Sequence, residues 1–325
     1  MNKKIDVTAL GELLIDFIEN GVSDQGNPLY EANPGGAPCN VLSMLSKLGR
    51  KTEFIGKVGD DGFGRQLSDA IKSQGIGSEG LLYDKEIHTT LALVHKLPDG
   101  DRDFSFYRNP GADMNLREEE LQEELIRDAK VFHYGTLSLT DEPVRSATKK
   151  AIKIAEEAGC IRSFDPNLRP PLWKDLREAK KMFDFGFRHC DVLKISDNEI
   201  VWFTGKEDYD EGIAVLRETY HIPLICLSMG ADGSRAYYKD LRVEVPALLQ
   251  ENTVETTGAG DTFGACVIDG VLRYGLDQLD EGKLKEILTF ANAAASVVTT
   301  RKGALRVMPE KEEVLSLIRG TGRYE

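Results

Sequence analysis

The residues best suited to chemistry lie in Val254-Glu255-Thr256-Thr257-Gly258-Ala259-Gly260-Asp261-Thr262-Phe263. Small residues at 258–260 precede an apolar helical face made of Phe263, Cys266, Val267 and Val271. Glycines at a helix mouth let backbone N–H groups converge, and the helix dipole adds partial positive charge there. Such a mouth is a pocket for an anion, above all for a transferring phosphoryl group. Asp261 would repel that phosphate unless it serves to accept a proton from a hydroxyl as the oxygen attacks phosphorus. The competing role is plain: an aspartate capping a buried helix.

Five further places carry polar groups where ligands bind. Asn33-Pro34-Gly35-Gly36-Ala37-Pro38-Cys39-Asn40 leads into the first amphipathic helix. Gly35 and Gly36 admit a polar ligand to the backbone, and Asn40 can donate and accept; a glycine turn with an Asn cap explains the same residues. Asp16, just past the first strand, can grip sugar hydroxyls in a bidentate way or merely be polar. Asp165-Pro166-Asn167-Leu168-Arg169 follows a buried strand, where open α/β sheets hold their ligands, and Arg169 suits a phosphate or a sugar. Glu199 follows the strand at 192–195 and can hold a Mg²⁺ water, or be a helix-face charge. Ser228-Met229-Gly230-Ala231-Asp232-Gly233 ends another strand in glycines and either touches a nucleotide or makes a hairpin turn. Gly75-Ile76-Gly77-Ser78-Glu79-Gly80 spells a dinucleotide fingerprint, but it follows a helix pattern instead of a strand, and no P-loop occurs.

The elements that must position these groups alternate along the chain. Apolar residues at helical spacing run over 41–48, 63–71, 144–158 and 284–298, with Gly49, Gly75 and Gly159 as stops. Asn115 with Glu118 reads as a capping box opening a helix over 118–129. Short, nearly all-apolar strands are expected at 7–11, 53–58, 131–134, 161–164, 192–195 and 224–228. Strands of that kind are covered by helices on both faces. The expected fold is therefore α/β, with a mainly parallel central sheet and helices on both sides. Alternating segments at 89–96 and 102–107, joined by Leu-Pro-Asp-Gly-Asp, break the rhythm as a hairpin, and a second hairpin spans 234–238 and 242–245. With no repeat and no linker, a single domain over 1–325 with a small antiparallel β lid is expected.

Composition narrows the function. The 325 residues hold 54 acids against 41 bases, a formal charge of −13, which disfavours nucleic acid as a partner. No apolar run approaches a membrane span, and the opening residues lack the apolar stretch of a secretory signal. Five scattered cysteines and five scattered histidines form no metal-ligand pattern, as expected of a cytoplasmic protein with reduced thiols.

Taken together, these residues resemble the ribokinase-like (PfkB-type) carbohydrate kinase family over essentially the whole chain. The resemblance rests on Gly35-Gly36-Ala-Pro-Cys-Asn40 with the glycines at 56 and 64, and on Thr257-Gly258-Ala259-Gly260-Asp261. Ser163-Phe-Asp-Pro-Asn-Leu-Arg169 with Pro171-Leu-Trp173, and Phe106-Tyr-Arg-Asn-Pro110 with Ala112-Asp-Met114, are similar to its fructokinase branch. What the resemblance implies is transfer of phosphate from ATP, with Mg²⁺, to the primary hydroxyl of fructose. Other small sugars or nucleosides (2-keto-3-deoxygluconate, ribose, aminoimidazole riboside) and a silent sugar sensor are the alternatives. In that scheme Asp261 is the base, and the backbone of Gly258, Ala259 and Gly260 forms the anion hole. Asp16, Gly35, Gly36, Asn40, Phe106, Arg108 and Arg169 face the sugar under lid segments at 12–34 and 88–110. Lys194, Ser196, Ser228, Gly230, Gly233 and Asn292 serve ATP. Glu199 organises Mg²⁺, although the family's Asn-x-x-Glu reads Ser196-Asp-Asn-Glu199 here. Glu255, where many relatives carry Asp, and Thr257 belong to a loop for K⁺. A homodimer paired through the lid is also implied.

Overall fold

A computed structural model describes residues 3–96 and 102–320. The first strands are β1 (Ile5–Leu10), β2 (Leu14–Val22), β3 (Pro28–Gly35), β4 (Thr52–Gly59), β5 (Gly77–Asp84), β6 (Leu91–Lys96) and β7 (Arg102–Tyr107). They are followed by β8 (Ala129–Gly135), β9 (Ile161–Asp165), β10 (Val192–Ser196), β11 (Leu224–Ser228), β12 (Ser234–Tyr238) and β13 (Leu241–Val245). The helices are α1 (Ala37–Lys47), α2 (Gly62–Ser73), α3 (Glu123–Arg127), α4 (Val144–Glu157) and α5 (Leu176–Arg188). Then come α6 (Asp197–Thr204), α7 (Tyr209–Tyr220), α8 (Ala259–Tyr274), α9 (Glu281–Val298) and α10 (Lys311–Gly320).

Nine strands form one sheet in the order β13-β12-β11-β10-β9-β8-β1-β4-β5. From β11 to β5 the pairings are all parallel; β12 and β13 close the other edge antiparallel. Apolar side chains alternate across the strands, so each face of the sheet has its own core. Val7, Ala9 and Val131 pack with α1, α2, α8 and α9, whereas Phe132, Tyr134, Leu193 and Ile195 pack on the side of α4 to α7. Such two-sided cover is what the nearly unbroken apolar strands require.

A second, smaller sheet runs β3-β2-β6-β7. Its two hairpins are antiparallel, but its central pair, β2 with β6, is parallel, so the lid is not wholly antiparallel as expected. The expected turn at 97–101 lies outside the described residues. The expected helix over 118–129 is also corrected. That stretch is a short 3₁₀ turn at Glu118–Glu120 and the five-residue α3. Asn115 is not its cap, because its side-chain amide donates to Asp84 Oδ2 at 2.6 Å instead. No described helix is long and apolar enough to cross a membrane.

Candidate active site

Strand order reverses at β1, which has β4 on one side and β8 on the other. Crevices open beyond the carboxyl ends of strands at such a switch point. There Glu12, Leu137, Asn167, Arg169 and Lys194 converge around a cavity of about 540 Å³. The smaller sheet adds Asp16 from β2 and Phe106 from β7, and the starts of α1 and α8 supply Gly36, Asn40 and Asp261.

Five described helices cap their own first turn with the N-cap side chain, among them α2, where Asp61 accepts from Gly64 N, and α9, where Asp280 accepts from Lys283 N. At α8 the N-cap residue, Gly258, offers no side chain to do this, and at α1 the N-cap is likewise a glycine, Gly36. At α8 the chain turns through Gly258 at φ 78°, a left-handed conformation that costs other residues about 1–2 kcal/mol. An added Cβ there would also meet Ala304 at 2.8 Å. Of the expected anion hole, the Ala259 amide is engaged with the Thr256 carbonyl at 3.2 Å. The amides of Gly260 and Asp261 have no protein acceptor among the described residues and carry the positive end of α8.

Asp261 Oδ2 accepts from Asn40 Nδ2 at 2.7 Å. Burial raises its carboxyl above the ordinary value, although Asn40, Lys194 and Arg169 pull the other way. Asn40 is 4% exposed, and its Oδ1, in the cavity wall, has no partner among the described residues. A buried orphan acceptor costs about 1–3 kcal/mol until a donor such as a hydroxyl meets it. Asp16 lies on the same wall, its carboxyl pushed up to about 7 by burial against the pull of Arg169, with Glu255 and Asp261 adding to the rise. Gly35 does not line the cavity; it makes the room for Asp16, whose Oδ2 would lie 2.1 Å from a Cβ at that position.

Lys194 lines this cavity, and not the one that holds the other residues assigned to ATP. Its Nζ pairs with Asp165 Oδ2 at 3.0 Å and lies 3.1 Å from where a Cβ of Gly260 would be. Burial works against that charge, but Asp165 and Glu199 outweigh it and hold the ammonium protonated. Burial also raises the Asp165 carboxyl, against the attraction of Lys194.

A second cavity of about 450 Å³ lies on the far side of the same helix mouth. Ser196, Ser228, Gly230, Gly233 and Asn292, the residues assigned to ATP, line it together with Ala259. Its apolar walls are Leu248, Leu249, Phe263 and Ala295, suited to a flat base. Gly233 sits at φ 99°, with the Val245 carbonyl 2.2 Å from any Cβ, so only glycine lets β12 start there. Asn292 donates to the Val245 and Pro246 carbonyls, holding the loop beyond β13 against α9. Gly260 and Thr256 border both cavities.

Two expected ligands are corrected. Arg108 lines neither cavity; its guanidinium is buried against Asp113 at 2.7 Å, the Thr140 hydroxyl and the Leu137 carbonyl. Glu199 also lines neither cavity. One carboxylate oxygen accepts from Leu168 N and the other from Ser196 N and Oγ, closing a capping box at α6. Glu255 is buried and accepts from Gly303 N at 3.1 Å, so it ties two loops together, while Thr257 lines the first cavity.

Glu12 was missed. It is 5% exposed, lines the first cavity, and its Oε1 accepts from Ala37 N at 2.8 Å. It thereby caps α1 from another segment, and burial pushes its carboxyl up to about 7. The available signal was a lone carboxylate inside the apolar run Ala9-Leu-Gly-Glu12-Leu-Leu-Ile15.

Comparison with known proteins agrees with this layout. The chain is 42% identical to fructokinase-2 of Solanum lycopersicum over 316 residues, 97% of this chain and 96% of that one. It superposes on a fructokinase of Xylella fastidiosa with bound ATP at a TM-score of 0.88 and 30% identity, covering 99% and 100% of the two chains. A fructokinase of Vibrio cholerae in a fructose, ADP and calcium ion bound form gives 0.86 and 27%, covering 97% and 99%. Residues 4–311 match the pfkB family carbohydrate kinases, and with two cavities meeting at one uncapped helix mouth the chain belongs to that family.

Proposed function

We propose that this chain is an ATP-dependent fructokinase, converting fructose and ATP to fructose 6-phosphate and ADP. The observation that carries the reading is the wall at Gly260. It separates a polar cavity holding Asp261 from a more apolar one, so an acceptor hydroxyl and a phosphoryl donor can meet across one helix mouth.

Fructose hydroxyls are gripped by Asp16 and by the open Oδ1 of Asn40, which orients the 6-hydroxyl toward Asp261. Asp261 takes that proton while the oxygen bonds to the γ-phosphorus and the bond to the β-phosphate oxygen breaks. The amides of Gly260 and Asp261 and the Lys194 ammonium meet the charge on the transferring group. Among the described residues no three His, Cys, Asp or Glu side chains cluster as a metal site. A Mg²⁺ arriving with the nucleotide would be held mainly by phosphate oxygens and water, and would supply positive charge against the charge on the phosphates. The smaller sheet, which contributes Asp16 and Phe106, acts as a lid that keeps water from the γ-phosphate.

Three finer readings go with this one. Glu255 and Thr257 belong to a loop that takes K⁺. The lid carries the exposed Val22, Leu29, Tyr30 and Tyr107, which supports pairing of two copies through it, testable by sedimentation. All five cysteines are buried and unpaired, which supports a reducing, cytoplasmic setting.

The test is ADP release over a panel of sugars and nucleosides with Mg²⁺, with and without K⁺. Fructose is expected to give the highest kcat/KM. Tight fructose binding without ADP release would overturn the assignment.

A further inference from the structure

A third cavity, of about 500 Å³, lies away from both of the others, between the end of α1, the second half of α8, α9 and α10. Its size is that of a small-molecule site. Leu48, Phe290, Leu315 and Ile318 give it an apolar side. Four basic side chains line it, Arg50, Arg273, Lys285 and Lys311, against two acidic ones, Asp269 and Glu286. On a chain of formal charge −13, that balance is a local inversion.

The acids are already engaged. Asp269 accepts from Arg50 Nε at 2.6 Å and from Arg273 at 3.4 Å, and Glu286 accepts from Arg273 at 2.6 Å. Lys285 and Lys311 have no ion-pair or hydrogen-bond partner among the described residues. The cavity therefore offers two uncompensated ammonium groups beside an apolar surface. Water satisfies the first feature alone and leaves the second wet; a ligand with both characters satisfies both.

We propose that this cavity binds a small organic anion, a carboxylate, sulfonate or phosphate carried on an apolar body. The oxyanion pairs with Lys285 and Lys311, and the apolar body covers Phe290, Leu315 and Ile318. The site sits at the far ends of the two helices whose starts make the sugar cavity. Along α8, Arg273 is twelve residues from Asp261, about 18 Å at 1.5 Å per residue. An occupant there contacts the same rigid rods that hold Asn40 and Asp261, yet touches no reacting group.

The probe is 1-anilinonaphthalene-8-sulfonate, titrated by fluorescence into the full chain with fructose and a non-hydrolysable ATP analogue filling the active site. Saturable binding is expected, with affinity reduced at least tenfold in Lys285→Glu/Lys311→Glu and at least threefold in Leu315→Asn. Octanoate is expected to displace the probe at concentrations where inorganic phosphate does not. Unchanged kcat for fructose phosphorylation in these variants shows that they fold. Absence of saturable binding, equal affinity in all variants, or equal displacement by phosphate would overturn the proposal.

Discussion

Replacing Asp16 by Asn is expected to stabilise the ligand-free protein while removing its grip on sugar. The folded-state carboxyl is pushed up to about 7 from 3.8, mainly by burial. Between those values the native state binds more protons than the unfolded chain, so this residue's contribution to stability falls as pH rises. A shift of about three units corresponds to at most about 4 kcal/mol at pH 8. Asp16 is only partly buried and faces a cavity open to solvent, and screening reduces this to about 1–2 kcal/mol. With about 2.1 cal/mol/K of unfolding entropy per residue, Asp16→Asn should raise Tm by about 1.5–3 °C at pH 8. The gain should shrink by more than half at pH 5. Thermal melts at both pH values, with and without fructose, read this directly, and fructose should protect only the wild type. A lower Tm at pH 8, a gain independent of pH, or retained fructose protection would refute the reasoning.

Asn40→Ala removes the hydrogen bond that favours ionised Asp261, so kcat/KM for fructose should fall about 10–100-fold, from a charge-assisted bond worth about 1.5–3 kcal/mol. The acid limb of its pH–rate profile should also move to higher pH, since the raised Asp261 carboxyl loses its main opposing partner. Gly35→Ala puts a methyl 2.1 Å from Asp16 Oδ2, so the fructose KM should rise about tenfold while the KM for ATP holds. A matched rise in both constants would mean general damage instead.

Much of this was legible because local rules agreed with the fold. Apolar runs bounded by glycines marked the buried parallel strands, and glycines ahead of Asp261 marked a helix mouth that stays uncapped. The lid strands β2 and β3 were not readable as strands. Residues 19–31 are almost wholly exposed, so the buried alternation that normally betrays a strand is absent. Arg108 and Glu199 misled for a common reason. A charged residue near a site marks it equally well whether it faces ligand or, as here, holds the backbone behind it. Glu12 was hidden because its partner, the Ala37 amide, lies 25 residues away, a cap that no local spacing rule detects.

The central claim is that Asp261 is the proton acceptor for transfer across the mouth of α8. The most direct measurement is kcat together with fructose affinity for Asp261→Asn, which keeps the shape and the Asn40 contact region but removes the basic oxygen. General-base loss typically costs about 10²–10⁴-fold, so kcat should drop by that factor while fructose still binds within about threefold of wild type. A variant that turns over at near wild-type rate would contradict the account.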